Sequence, residues 1–284
     1  MNNSLSHAHP SHLVVKGAFA ASGTLRTDPG EHFRQLLGFG QGPVHLGIAT
    51  CSLQDGSETQ PCMHAYEKGI FVLEGSLELS FAGVSGIMPP GGYALVPTAT
   101  PYKIVNRFAG TSRWIEGLAP QPRLRSEWRD TVAFPNFTGD GAAFAIGHPL
   151  LRHMGVFSGT MPPAFFHHPD LRRGSQKMLI DKENGAVHFN MFIVEFENEG
   201  LCNHHDHPFE EAYLLLEGRV RAVFENRSYV LEAGDLAWCG VGTRHAFFAE
   251  QCPKVRWLEF QSPQPPSREG MRWHAPWEKL LPSV

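Results

Sequence analysis

The chain has 284 residues, 24 Lys+Arg against 28 Asp+Glu for a formal net charge of −4, and 42% apolar residues, the make-up of a globular protein of one or two domains. The mild acidity and the lack of a basic run argue against nucleic acid as a partner, and no window reaches the roughly 18 consecutive apolar residues of a membrane helix. Five scattered cysteines, Cys51, Cys62, Cys202, Cys239 and Cys252, form no CxxC pair, which fits reduced thiols and a cytoplasmic location better than a disulfide frame or a zinc-thiolate site.

In chain order, residues 1–30 form an N-terminal extension whose "SHAHPSH" stretch lacks the basic head and apolar core of a leader and whose histidines read as solvated. "EHFRQLL" at 31–37 has a weak helical period. Residues 31–122 then read as a first β module, with short apolar runs such as "EKGIFVLEG" and "PPGGYALVP" punctuated by glycine and proline. A connector, 123–174, contains "FPNFTGDGAAFAIGHPLL" and leads into "HHPDLRRGSQKML", 167–179. That polar segment reads as a solvated linker; the alternative is a cover over a pocket mouth that binds an acidic substrate. Residues 175–265 form a second module of strand-length runs: "VHFNMFIVEF", "EAYLLLEG", "RVRAVFENRSYVL", "DLAWCGVG", "RHAFFAE" and "VRWLEF". The tail, 266–284, closes with a short helical pattern, "APWEKLL".

The two modules are repeats of each other. "FVLEG" ends at Gly75 and "LLLEG" at Gly218, an offset of 218 − 75 = 143; "RWIEGLAPQP" and "RWLEFQSPQP" place Trp114 and Trp257 at the same offset, 257 − 114 = 143. The same shift superposes Phe81 on Phe224, Gly91 on Gly234, Ala94 on Ala237 and Glu116 on Glu259 without a gap. Repeats decide architecture, and the expectation is two small all-β barrels in one chain.

Chemistry concentrates in the second module. In an extended strand His205 and His207 project to one side, about 7 Å apart, and Glu211 and Tyr213 share that parity if the strand resumes after Pro208. His245 follows the glycine-rich "GDLAWCGVG". Three imidazoles and one carboxylate make a mixed N/O site for Fe(II), Mn(II), Ni(II) or Zn(II), with coordination positions left for substrate or water. Glu210 has the opposite parity and reads as a surface carboxylate, and His204 as solvent-facing or as a hydrogen-bond donor behind the ligands. Subtracting 143 puts Cys62, His64, Lys68 and Tyr102 at the four ligand positions of the first module, which is therefore expected to hold no metal.

These residues carry a family resemblance. "HDHPFEEAYLLLEG" resembles the first cupin motif, HxH, three spacers, Glu, six spacers, Gly; "GDLAWCGVGTRH" resembles the second, with Gly240 where proline is usual. The resemblance implies two tandem cupin barrels, that is, all-β double-stranded β-helix or jelly-roll folds, with His205, His207, Glu211 and His245 as metal ligands. The two-barrel arrangement from about residue 31 to 262 resembles the ureidoglycine aminohydrolase family of purine catabolism, which implies one ion per chain, Mn(II) by preference and Fe(II) as the alternative. That family's set reads Glu-x-His, three spacers, His and later Gln, and its last-strand Tyr and Lys fall here on Phe260 and Gln261. Fold does not fix chemistry. The expectations are a metal-dependent enzyme acting on a small polar metabolite, aminohydrolase-like, with an Fe(II) dioxygenase and a non-enzymatic binding protein as alternatives. Glu211 and Tyr213 are the catalytic candidates and Arg221, Trp238 and Gln261 the substrate-binding ones; Arg244 reads as a surface charge and Glu116 and Glu259 as structural. A homo-oligomer is expected because exposed barrel faces in this fold commonly pair.

Overall fold

The structure, a computed structural model, describes residues 6–9, 11–19, 24–25, 31–81, 84–122, 130–137, 142–143, 153–164, 167–250, 252–265 and 271–273. The "APWEKLL" pattern lies outside them. Among the described residues the regular elements are almost all strands, nearly all paired antiparallel, with a 3-10 turn at Lys182–Asn184. Among the described residues no helix is long and apolar enough to cross a membrane.

The first barrel is a sandwich of two sheets. Seven strands run in the order Met154–Val156, Gly92–Val96, Glu67–Glu74, Ser112–Ala119, Gly47–Leu53, Glu31–Leu37, Thr24–Leu25, and six in the order Thr131–Ala133, Cys62–His64, Tyr102–Asn106, Leu77–Phe81, Val84–Met88, Ala142–Ala143. Both sheets supply its interior, with Ile70, Val72 and Trp114 from one meeting Leu79, Phe81 and Ile104 from the other. "EHFRQLL" is a strand rather than a helix: Glu31–Leu37 pairs with Gly47–Leu53, and a ladder of interstrand hydrogen bonds outweighs a weak local period.

The second barrel is one curled sheet built around the 17-residue strand Asn190–Asp206. Its first half pairs with Lys254–Ser262 and its second half with His245–Phe248, so a single strand serves both layers. Two assignments made from sequence change here. The 167–179 segment is no solvated linker, because Leu171–Ile180 pairs along Asn190–Asp206 as a strand of this barrel. The N-terminal extension belongs to it as well: His12–Val15 pairs with Leu236–Cys239, and His12 is fully buried, its Nε2 2.9 Å from the Tyr229 hydroxyl. Pairing across more than 200 residues leaves no local signal in composition.

The barrels pack through a core of their own, in which Leu46, Ile48, Phe71 and Ile115 of the first meet Phe189, Met191, Leu258 and Phe260 of the second. Glycine permits the approach: a Cβ on Gly69 would stand 2.7 Å from the Phe189 ring, and one on Gly117 2.4 Å from the Phe260 ring. The repeat extends to backbone conformation, since Gly75 and Gly218 close equivalent turns with φ of +73° and +74°.

Candidate metal centre

Three segments of the second barrel converge on one point in its interior. His205 lies near the end of Asn190–Asp206, His207 just beyond it, Glu211 on Glu210–Glu217 and His245 at the start of His245–Phe248. All four side chains are buried. His205, His207 and His245 each offer a ring nitrogen, and these atoms lie within 4.8 Å of one another. Glu211 completes the set, with Oε1 3.3 Å from His207 Nε2 and Oε2 3.0 Å from His245 Nε2.

The surroundings orient the donors. His205 Nδ1 donates to the Asn203 carbonyl at 2.6 Å and His245 Nδ1 to the Thr243 carbonyl at 2.8 Å, which directs each Nε2 lone pair inward. Tyr213 donates its hydroxyl to Glu211 Oε2, and Gln261 Nε2 donates to Glu211 Oε1 at 2.8 Å. Gln261 also donates to Glu259 Oε1 at 3.1 Å, and Trp257 Nε1 donates to Glu259 Oε2 at 2.9 Å. Cys239 stands behind the set, its Sγ 3.8 Å from His245 Nδ1, a nitrogen already committed to Thr243.

Electrostatics favour a bound cation. Burial alone would raise the Glu211 carboxyl, but the His207, His245 and His205 imidazoles outweigh it and hold the group far below the usual carboxylate range. Burial, then the facing His245 and His207 rings, pushes His205 well down, so it stays neutral and able to ligate. His245 is pushed well up: burial opposes this, and Cys239 and Glu211 carry it. Burial and the nearby Glu211 push the Glu259 carboxyl well up, and burial pushes the Tyr213 phenol well up. Two or three neutral imidazoles around one carboxylate, already gathered to ligand distances, fit a first-row divalent ion without thiolate.

A cavity of about 70 Å³ adjoins the centre. Its walls are largely apolar, from Phe192, Val194, Phe247, Trp257, Leu171 and Met271, and among the described residues none of those lining it is Lys or Arg. Of the substrate-binding candidates, Gln261 lines this cavity. Arg221 does not: on Arg219–Phe224 the neighbouring Val220, Ala222 and Phe224 point inward, so Arg221 projects outward, where it pairs with Glu250 and covers the Phe248 ring. Trp238 is buried in the inter-barrel core instead of the pocket, packed on the Gly42 and Gly240 positions, because the outer face of its strand is covered by the other barrel. Glu210 corrects the same way. Its parity does point away from the barrel interior, but toward the first barrel, where its buried carboxylate accepts the backbone N–H groups of Val44, His45 and Leu46. Arg244 bonds the Glu225 carbonyl and the Asn226 side chain. Cys202 is a cavity wall that sequence reasoning did not single out; its Sγ stands 3.5 Å from His205 Nδ1.

In the first barrel the equivalent positions hold a closed polar cluster. Lys68 and Glu116 are both buried and paired at 2.9 Å, Trp114 Nε1 donates to Glu116 at 3.0 Å, and His64 Nε2 is 2.8 Å from the Tyr102 hydroxyl.

Together these features define a two-barrel, all-β fold in which, among the described residues, His205, His207, Glu211 and His245 gather into a buried cluster that could hold a metal ion. Residues 192–260, within the second barrel, match the family model of the cupin domain, and the chain has the cupin fold. A protein of Pseudomonas aeruginosa described as glyoxylate-induced superposes with a TM-score of 0.67 at 17% identity, over 98% of this chain and 96% of that one. A variant of oxalate decarboxylase from Bacillus subtilis gives 0.63 at 13% identity over 93% and 78%, and salicylate 1,2-dioxygenase from Pseudaminobacter salicylatoxidans 0.64 at 13% over 81% and 76%. No curated protein matches the chain by sequence.

Proposed function

We propose that the chain is a mononuclear metal-dependent enzyme whose second barrel binds one divalent ion through His205, His207, Glu211 and His245 and acts, with O2, on a small substrate that chelates through two oxygens. The observation that carries this reading is the buried three-imidazole, one-carboxylate set opening into a small apolar cavity. A bound divalent ion would supply a Lewis acid and, as iron, a redox partner for O2. With Glu211 ionised the centre carries a formal charge of about +1, which a monoanionic bidentate ligand neutralises without help from Arg or Lys. The small, largely apolar cavity favours a compact ligand. Tyr213 and Gln261 hold Glu211 in place. Two solved neighbours, named for oxalate and salicylate, take small acids with adjacent oxygens, which is in keeping with this substrate class.

The hydrolytic alternative is Mn(II)-dependent ammonia release from ureidoglycine, as the two-barrel arrangement suggests. It needs a base for water near the ion. Both Glu211 oxygens are engaged by Tyr213 and Gln261, and both Glu259 oxygens accept from Gln261 and Trp257, so among the described cavity residues neither side chain has an uncommitted oxygen to serve as one. The discriminating experiment loads the protein with Fe(II) or Mn(II) and screens small 2-oxo acids, hydroxy-aromatic acids, catechols and 1,3-diketones in an oxygen electrode. O2 uptake that needs both Fe(II) and substrate is expected. Ammonia release from ureidoglycine under anaerobic conditions, with no O2 uptake on any substrate, replaces this reading with the hydrolase.

A further inference from the structure

The first barrel contacts the second through a pair of reciprocal clamps. Glu210 of the second barrel accepts from the Val44, His45 and Leu46 amides at 2.7, 3.1 and 3.2 Å. Glu67 of the first accepts from the Val187 and His188 amides, each at 2.8 Å. The two glutamates stand 210 − 67 = 143 residues apart, the repeat offset, and so do the loops they hold, 187 − 44 = 143. Each clamp is doubled by an amide: Gln121 Nε2 donates to the Pro43 and Leu46 carbonyls, and Gln264 Nε2 to the Ala186 carbonyl and the Asn190 side chain.

The clamps are equivalent in geometry and unequal in consequence. Successive side chains in a strand point to opposite faces, so the residue after each clamp enters its barrel's interior. After Glu67 that residue is Lys68, which meets Glu116; after Glu210 it is Glu211, the sole carboxylate of the metal set. A buried carboxylate taking several charge-assisted bonds from fixed amides is stiff. One peptide unit transmits that stiffness to the Glu211 backbone.

We propose that Glu210 is a positioning residue for the metal ligand Glu211, through which the metal-free barrel sets the geometry of the metal centre in its neighbour. This rests on the metal reading above. The first barrel then has a role in the site although it donates no atom to it: its 44–46 loop is the anchor against which the carboxylate ligand is aimed. Residues that orient ligands typically change metal affinity by 10- to 100-fold when altered, and a role exerted through the backbone belongs at the lower end.

The test uses the full-length protein and Mn(II) as the probe, with titration calorimetry for affinity and the electron paramagnetic resonance of the bound ion for geometry. Glu210→Gln keeps the size of the side chain, removes its charge and sets an amide NH2 against backbone donors. Glu67→Gln does the same at the symmetric clamp, next to Lys68. Expected are Mn(II) binding about tenfold weaker and an altered zero-field splitting in E210Q, with E67Q within twofold of the unmodified protein and a similar fall in melting temperature for both. Should E210Q not fold, Glu210→Asp, which keeps the charge and shortens the reach, carries the test with the same direction expected. Unchanged affinity and spectrum in the folded Glu210 variant overturn the proposal, as does equal weakening in E67Q, which would make the clamps general interface contacts. An unmodified protein that binds no Mn(II) or Fe(II) overturns the metal reading itself, and this inference with it.

Discussion

The interiors of the two barrels share a frame and differ in their source of positive charge. Trp114 and Trp257 each donate an indole N–H to a buried glutamate, Glu116 and Glu259, at 3.0 and 2.9 Å. In the first barrel Lys68 supplies an ammonium 2.9 Å from that glutamate, and Tyr102 and His64 close the remaining space. In the second, the residue in the place of Lys68 is Glu211, Tyr102 gives way to His245 and Cys62 to His205, so the polar layer gathers donors in place of a fixed cation. A buried carboxylate is costly without a compensating charge. One barrel carries that charge covalently, and in the other the donors gather where a bound cation could supply it.

The sharpest way to break this contrast is to remove the donors. A His205→Ala, His207→Ala double change should abolish stoichiometric metal binding, read by elemental analysis after gel filtration; full retention would disprove the ligand set. Next in size is Lys68→Met. It strands Glu116 in the interior, and breaking a buried pair in this manner costs about 3–5 kcal/mol, so denaturant melts should show a large loss of stability while metal content per folded chain stays unchanged.

Leu118 stands at the repeat position of Gln261. Gln261→Leu therefore makes the second barrel more like the first, removing the donor to both Glu211 and Glu259. Metal affinity should fall by about tenfold, within the range for groups that orient ligands, and calorimetric titration against the unmodified protein measures it.

A smaller effect concerns pH in the metal-free protein. Glu211 is depressed in the fold, so the stability it contributes is present above the ordinary carboxylate pKa and is lost as pH falls through its depressed value. His245 is raised, so its contribution is complete below the ordinary histidine pKa and is lost as pH rises through its raised value. The metal-free melting temperature should peak between these limits. A bound ion replaces the proton on His245, so loading should remove the alkaline decline, which paired thermal melts across pH would reveal.

The convergence of His205, His207, Glu211 and His245 was legible in the sequence because the HxH, Glu and His signals have fixed spacing and fall on strands whose parity is simple. The 143-residue repeat supplied the second half of the argument by marking Lys68 and Tyr102 as departures. Parity misled at Glu210, whose face turned from the barrel interior was equated with solvent, and it was not applied to Trp238, which was expected at the pocket. Glu210 and Trp238 both lie on such faces, and the neighbouring barrel covers them. His12 was illegible for another reason: its burial depends on strand pairing with Leu236–Cys239, a contact between the two ends of the chain. Arg221 shows the converse case, where counting parity from Val220 and Ala222 would have placed it outside.

The most direct measurement is the metal stoichiometry of the unmodified protein after reconstitution with excess Fe(II) or Mn(II) and removal of free ion. One ion per chain, lost with His205 and His207 and indifferent to His64→Ala, is the predicted result. Two ions per chain, or one that disappears with His64, would contradict the division of the two barrels into one with a resident ammonium and one with a metal.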